Sequence, residues 1–268
     1  MINFVIKIFK RFAWFKRFNA KITYELLAKY IPAEDWHFMN YGYAPNSSEK
    51  PIELKREVMQ RYPLQMYHYL GLKADLTNKD VLEIGSGRGG GANYLASAMK
   101  PNSYVGLDLA QSAVDLANKI HRQSNLKFIQ GNAEEIPIES NSIDVVINVE
   151  SCHGYGNVPK FLSEVKRVLK PGGHLLLVDF RNEVKNMEIF QQQLKQCGLL
   201  LKEEEDISQN VIQAIETENP AKVDRIQKLV PKQWQKLFSD FAGVVGSRFY
   251  NTLKDGIRVY HRFVLQKV

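Results

Sequence analysis

Cysteine is scarce in this chain: two in 268 residues, Cys152 and Cys197. They have neither the close spacing of a metal site nor the number needed for a disulfide framework, so the sequence predicts a reducing, cytoplasmic setting. Acidic residues are nearly missing from the first thirty positions, where Glu25 stands alone against Lys7, Lys10, Arg11, Lys16, Arg17, Lys21 and Lys29. That segment supplies +6 of the formal net charge of +7, and the rest of the chain is close to neutral. A near-neutral body argues against a nucleic-acid partner, as does the want of an Asn-Pro-Pro-Tyr or Pro-Cys motif after the candidate fourth strand. The N-terminal segment also lacks an apolar run of the ~20 residues that a spanning helix needs, because cations interrupt every run. It has no signal-peptide core and no small-residue cleavage site either. Repeats and low-complexity tracts are absent throughout.

What the segment does have is a pattern. At helical spacing, Ile2, Val5, Ile8, Phe9, Phe12 and Ala13 share one side, and Lys7, Lys10, Arg17 and Lys21 the other, with Lys16 out of place. Residues 1–30 therefore read as a basic amphipathic helix. Residues 1–21 suit an anionic membrane surface, with peripheral attachment of a cytoplasmic protein. A helix packed on the protein's own core with its lysines in solvent fits the same pattern.

The rest of the chain, 31–268, reads as one domain of strand-helix units, with 44% of the whole chain's residues apolar. The centre of the pattern is Val81 to Gly91, VLEIGSGRGGG: an apolar run, an acid, and a loop with five glycines in seven residues. Such a loop lets the backbone turn sharply and approach a ligand closely. Gly85, Gly87 and Gly90 satisfy G-x-G-x-x-G, and Asp108 closes the next apolar run, YVGLD, where a ribose-binding acid is expected. A nicotinamide dinucleotide and S-adenosyl-L-methionine both fit this much. Further strands are predicted at Leu126–Gln130, Ile143–Val149, His174–Asp179, Leu199–Asp206 and Arg258–Gln266. A helix through Phe161, Leu162, Val165, Val168 and Leu169 is expected to stop at Pro171, Gly172 and Gly173. The expected fold is α/β, a Rossmann-like, doubly wound parallel sheet, with ligands beyond the carboxyl ends of its strands.

Five segments in order, VLEIGSGRGGG, YVGLDL, FIQGNAEEIP, IDVVINVESCHG and FLSEVKRVLKPGGHLLLVDF, resemble the class I S-adenosyl-L-methionine-dependent methyltransferases over residues 79–181. A dehydrogenase would leave the GNAEEIP and LKPGG segments without explanation. The resemblance implies a seven-stranded sheet and S-adenosyl-L-methionine as methyl donor, with S-adenosyl-L-homocysteine released. A narrower resemblance, carried by DWHFMNYGYAP, YHYL, GGGANYL, SCHGY and RVYHRFVLQK, is to the phthiotriolone and phenolphthiotriolone dimethylcocerosate O-methyltransferases. It implies a hydrophobic small-molecule acceptor, a polyketide, lipid or related natural product, methylated on a hydroxyl.

The donor's chemistry, set on the matched positions, implies a role for each. Glu83 is placed for its ammonium, directly or through water, and the backbone N–H groups of Gly85 to Gly91, those of Gly85, Gly87 and Gly89 among them, with the helix start for its methionine portion. Asp108 is placed for the ribose hydroxyls, Leu109 for the adenine face, and Asn132, Ala133 and Glu134 for the adenine edge. Asn148 and Val149 fall beside the methionine portion. Strand-end acids and turn asparagines explain the same residues structurally. A hydroxyl acceptor must also lose its proton, which calls for a base. His153, after the fourth strand, is the candidate, oriented by Asp179 at the end of the neighbouring fifth. His121 is expected to end a surface helix and complement its dipole, and His261 to lie within the last strand.

Two regions outside the common core are expected to cover the site. One is 31–78, an N-terminal helical cover with Tyr41, Tyr43, Tyr67 and His68 as candidate acceptor contacts. The other is 207–256, C-terminal lid helices with Trp234. C-methylation of a quinone- or sterol-like lipid, N-methylation of a phospholipid head group, and a S-adenosyl-L-methionine-binding partner or sensor without chemistry are the alternatives.

Overall fold

A computed structural model describes residues 36–46 and 60–268. The predicted helix at 1–30 lies outside the described residues, as do 31–35 and 47–59 of the predicted cover. The described residues contain one sheet of seven strands: β1 (Asp80–Ile84), β2 (Ser103–Asp108), β3 (Leu126–Gln130), β4 (Ile143–Val149), β5 (Leu169–Arg181), β6 (Leu200–Asp206) and β7 (Val259–Gln266). Their spatial order is β3-β2-β1-β4-β5-β7-β6. The helices are α1 (Arg61–Gly71), α2 (Gly90–Ala98), α3 (Gln111–Ile120), α4 (Val158–Val168), α5 (Val184–Gln196), α6 (Ser208–Leu229), α7 (Lys232–Ala242) and α8 (Arg248–Lys254). The fold is Rossmann-like α/β and doubly wound.

The central strands of the sheet are buried on both faces, and β4 shows how a sequence does this. Side chains of a strand alternate between faces. Val145, Ile147 and Val149 enter one core, which also holds residues of α1, α2, α3, α6 and α8. Val146 enters the other, joined by Ile143 across an irregularity in register between Ile143 and Val145, against Phe161, Leu162, Val165 and Val168 of α4 and Phe190 and Leu194 of α5. A near-continuous apolar strand is the consequence. Helix α4 turns its apolar stripe inward, and its start is closed by Asn157, whose side chain accepts from Lys160 N at 3.0 Å.

Three expectations are corrected. The sheet is not wholly parallel: β1 to β5 pair parallel, but β7 runs antiparallel to both β5 and β6. Helices α6, α7 and α8 keep the chain at the end where β6 leaves the sheet, so β7 re-enters from that end and runs back. The Pro171-Gly172-Gly173 stretch does not precede the fifth strand but lies within it, since β5 begins at Leu169 and Gly172 N bonds to Lys267 O at 2.7 Å. Finally, His121 is buried rather than solvated. Burial lowers its pKa and its Nε2 lies 2.9 Å from Arg88 O, so it does not serve as a dipole-complementing cation.

Candidate functional site

The carboxyl ends of β1, β2 and β4 converge on two adjoining cavities. One is lined by Asp108, Leu109, Asn132, Ala133, Glu134 and His153 among others, the other by the glycine loop, His37 to Asn40, Tyr67 and Val149. Gly85 and Glu150 line both, so the division between the cavities falls at the end of β1 and β4.

The loop is tied down by its own backbone. Gly85 N and Ser86 N donate to Leu107 O at 2.7 and 3.1 Å, Gly89 N to Ser86 O at 2.9 Å, and Gly87 N to Asp108 Oδ2 at 2.8 Å. These N–H groups are therefore not available to a ligand, contrary to expectation. What the loop offers is its surface and the start of α2 at Gly90. Gly89 is needed for packing: at φ 77, a Cβ there would meet the Phe128 ring at 2.5 Å. It lines neither cavity. At Gly91 a Cβ would fall 2.0 Å from the Tyr67 ring, so glycine lets that tyrosine lie against the start of α2.

Tyr67 continues to Glu83. The Glu83 carboxylate is wholly buried and accepts from Tyr67 OH at 2.7 Å and Tyr104 OH at 2.9 Å. Burial pushes its pKa up to about 7, which the two hydroxyls only partly oppose. Asn148 is likewise buried, donating to Ile84 O at 2.8 Å and Tyr155 OH at 3.1 Å, while its Oδ1 has no hydrogen-bond partner. Neither Glu83 nor Asn148 lines the cavities; both stand behind them.

Asp108 is held from two sides, by Gly87 N and by Ala110 N at 2.9 Å, and burial raises its pKa. Asn132 makes a turn, accepting from Glu134 N at 3.0 Å. Glu134 in turn accepts from Gly156 N and Asn157 N at 2.9 and 3.1 Å. Both line the cavity while also fixing the backbone around it.

The structure brings His153 and Asp179 together across neighbouring strands. The turn Cys152–Gly154 follows β4, and Asp179 lies near the end of β5. His153 Nδ1 is 2.8 Å from Asp179 Oδ1, and His153 N donates to Asp179 Oδ2 at 2.7 Å. The imidazole faces the cavity with 35% of its side chain exposed, whereas Asp179 is fully buried. Burial alone would raise the Asp179 pKa; His153 and Arg181 together hold it well below the usual carboxylate range. With Nδ1 on the carboxylate, Nε2 is left for a ligand.

Other candidates fall outside this cluster. Tyr43 is fully buried and stacked on Tyr69 at 4.0 Å, so it is a core residue rather than an acceptor contact. His68 bonds Tyr94 OH at 2.8 Å and lines neither cavity, and Trp234 is an exposed residue of α7 that lines neither. His261 lies within β7 as expected, bound to Glu204 at 2.9 Å. Tyr41 is nearer: its N donates to Glu150 Oε1 at 2.8 Å and its ring stacks on Phe249 at 3.7 Å.

Sequence reasoning missed Glu150 and Tyr155. Glu150 has φ 48, unusual outside glycine, and burial pushes its pKa up to about 8. It directly follows β4, and the strand-end rule that selected Asp108 and Asp179 would have found it. Tyr155 bonds Ser151 and Asn148 and lines the His153 cavity, with no comparable signal in the sequence.

The family and sequence comparisons agree on one kind of enzyme. The methyltransferase domain family matches residues 82–177. The chain is 32% identical over 254 residues to the phthiotriol/phenolphthiotriol dimycocerosates methyltransferase of Mycobacterium leprae, covering 92% of this chain and 91% of that protein. It is 31% identical over 274 residues to the fatty-acid O-methyltransferase of Mycolicibacterium smegmatis, covering 99% and 97%. Among solved structures, the [4+2]-cyclase SpnF superposes with a TM-score of 0.72 at 17% identity, covering 92% of this chain and 94% of that one. Geranyl diphosphate C-methyltransferase from Streptomyces coelicolor gives 0.65 at 13%, covering 91% and 98%. At such identities the structural matches bear on the fold alone.

Proposed function

Because the chain belongs to the class I S-adenosyl-L-methionine-dependent methyltransferases, in the group of the phthiotriol dimycocerosates methyltransferases, we propose that it transfers a methyl group to a hydroxyl of a hydrophobic lipid or polyketide, with His153 as base. The observation that carries the base assignment is the 2.8 Å contact of His153 Nδ1 with a fully buried Asp179, on a ring that faces the cavity. The names of two relatives, one acting on phthiotriols and one on fatty-acid oxygen, support an oxygen acceptor on an apolar molecule.

The described residues fit the donor. Asn148 Oδ1 and Ser86 Oγ are buried without partners at the glycine loop, where the polar methionine end would supply them. Asp108 and Leu109 would hold the ribose and adenine, with residues 132–134 at the adenine edge. The donor supplies an electrophilic methyl on a sulfonium centre. The chain's own part is to position the acceptor and manage its proton. Asp179 accepts Nδ1–H, which leaves the Nε2 lone pair to take the hydroxyl proton as the oxygen attacks. The carboxylate then stabilises the imidazolium, as in other histidine-acid pairs.

The test is His153→Ala. Calorimetric binding of S-adenosyl-L-methionine should persist, while labelled methyl transfer to a panel of long-chain alcohols and phenols falls at least about tenfold. Undiminished transfer would overturn the base assignment.

A further inference from the structure

Beyond the pair just described lies Arg181, which touches neither cavity. It is the last residue of β5, two positions after Asp179, so both side chains leave the strand on the same face. Arg181 Nη1 is 3.4 Å from Asp179 Oδ2, the oxygen that accepts His153 N, and also donates to Phe180 O at 2.7 Å. Its Nη2 donates to Cys152 Sγ at 3.3 Å, in the turn that carries His153. The guanidinium lies 3.7 Å over the Phe190 ring of α5, and only 11% of the side chain is exposed. One planar cation thus holds the carboxylate and the turn together. A lysine ammonium, a point charge on a flexible stem, does not match that fork.

We propose that Arg181 is a positioning residue of the methyl-transfer site: it fixes Asp179 and the Cys152–His153 turn in one geometry, and offsets the Asp179 charge so that His153 is not locked as a cation. A buried carboxylate without a counter-ion would draw a proton onto the neighbouring imidazole and stop it acting as a base. With Arg181 present, His153 faces a nearly neutral pair. This inference rests on the reading of His153 as base, but its electrostatic content is testable without any acceptor.

The other ionisable groups around the pair do not offer the same offset. Burial pushes the Glu150 carboxyl up to about 8 and the Cys152 thiol and Tyr260 phenol well above their ordinary values. Tyr41 stacks on Phe249, and His261, opposite Asp179 in the β5–β7 ladder, is bound to Glu204. Arg258 lies over the rings of Phe180 and Phe249, 5.1 and 4.1 Å away, and its Nη2 donates to Asn182 Oδ1 at 2.8 Å rather than to Asp179.

The experiment is a histidine-selective NMR titration of the full chain with S-adenosyl-L-homocysteine present, in wild type, Arg181→Lys, Arg181→Gln and Arg181→Met. The His153 signal is assigned with His153→Ala. Removing the charge in Arg181→Met should move the His153 titration midpoint upward by about one pH unit, as a Coulomb interaction over several ångströms in a partly shielded site predicts. Arg181→Lys should leave the midpoint close to wild type while broadening the Nδ1–H signature, because charge is kept and the fork is lost. Arg181→Gln, which keeps a hydrogen-bonding amide without charge, reports the same shift if the methionine variant does not fold. Equal midpoints in wild type and the folded neutral variant would overturn the proposal, and leave Arg181 a packing residue. A shifted midpoint with full activity in His153→Ala would instead sink the base assignment and keep the electrostatics.

Discussion

Glu83 and Asp179 each lie at or beside the end of a buried apolar strand, yet their carboxyls are driven in opposite directions. Glu83 is surrounded by hydroxyls and no cation, so burial wins and its pKa rises to about 7. Asp179 is equally buried, but His153 and Arg181 reverse the effect. The rise at Glu83 has a definite sign. A carboxyl whose folded pKa is raised adds stability that is fully present below its ordinary value and lost as pH climbs through about 7. Wild type should therefore lose up to about 3 kcal/mol relative to Glu83→Gln between about pH 5 and pH 8, since the amide accepts from one tyrosine hydroxyl, donates to the other and cannot ionise. Urea unfolding of both proteins at the two pH values checks this, and a constant difference would contradict it. The positions of these acids at strand ends were legible in the sequence. Their opposite electrostatics were not, because Tyr67, Tyr104 and Arg181 reach them only through the fold.

The elements were legible where one face decides them. Helix α4 shows a single apolar stripe and a capping asparagine, and its sequence alone predicts its place. Asn157→Ala removes the acceptor of Lys160 N and should cost about 1 kcal/mol, read as a lower urea midpoint with unchanged slope. An unchanged midpoint would mean that Glu134, which also binds Asn157 N, closes the helix start by itself. One element was misjudged for a physical reason. Pro171-Gly172-Gly173 reads as a breaker, yet Gly172 and Gly173 are hydrogen-bonded across to Lys267, and the ladder outweighs local preference. Helix α6 runs unbroken from Ser208 to Leu229 through Pro220, although proline forgoes one hydrogen bond in a helix interior. His121, read as a solvated cation at a helix end, is enclosed by Arg88 O and Phe128, contacts that helix periodicity does not encode.

Over the whole molecule, charge is sharply divided. Nearly all the net positive charge falls in the first thirty residues, whose pattern supports attachment to an anionic membrane surface. No helix among the described residues is long and apolar enough to cross a membrane. The 268-residue chain should therefore co-sediment with anionic vesicles, and do so less as salt rises, while a chain beginning at Lys29 should not. Equal sedimentation of both would remove the proposal. The sequence by itself determined the strand-helix alternation, the glycine loop, the acids at the strand ends and hence the methyl donor, because each depends on residues adjacent along the chain. Only the tertiary structure decided the reversed direction of β7, the contact of Arg181 with the expected His153–Asp179 pair, and the withdrawal of Tyr43 into the core. Those depend on which strand ends become neighbours, and hydrophobic pattern, alike for every buried strand, does not specify that order.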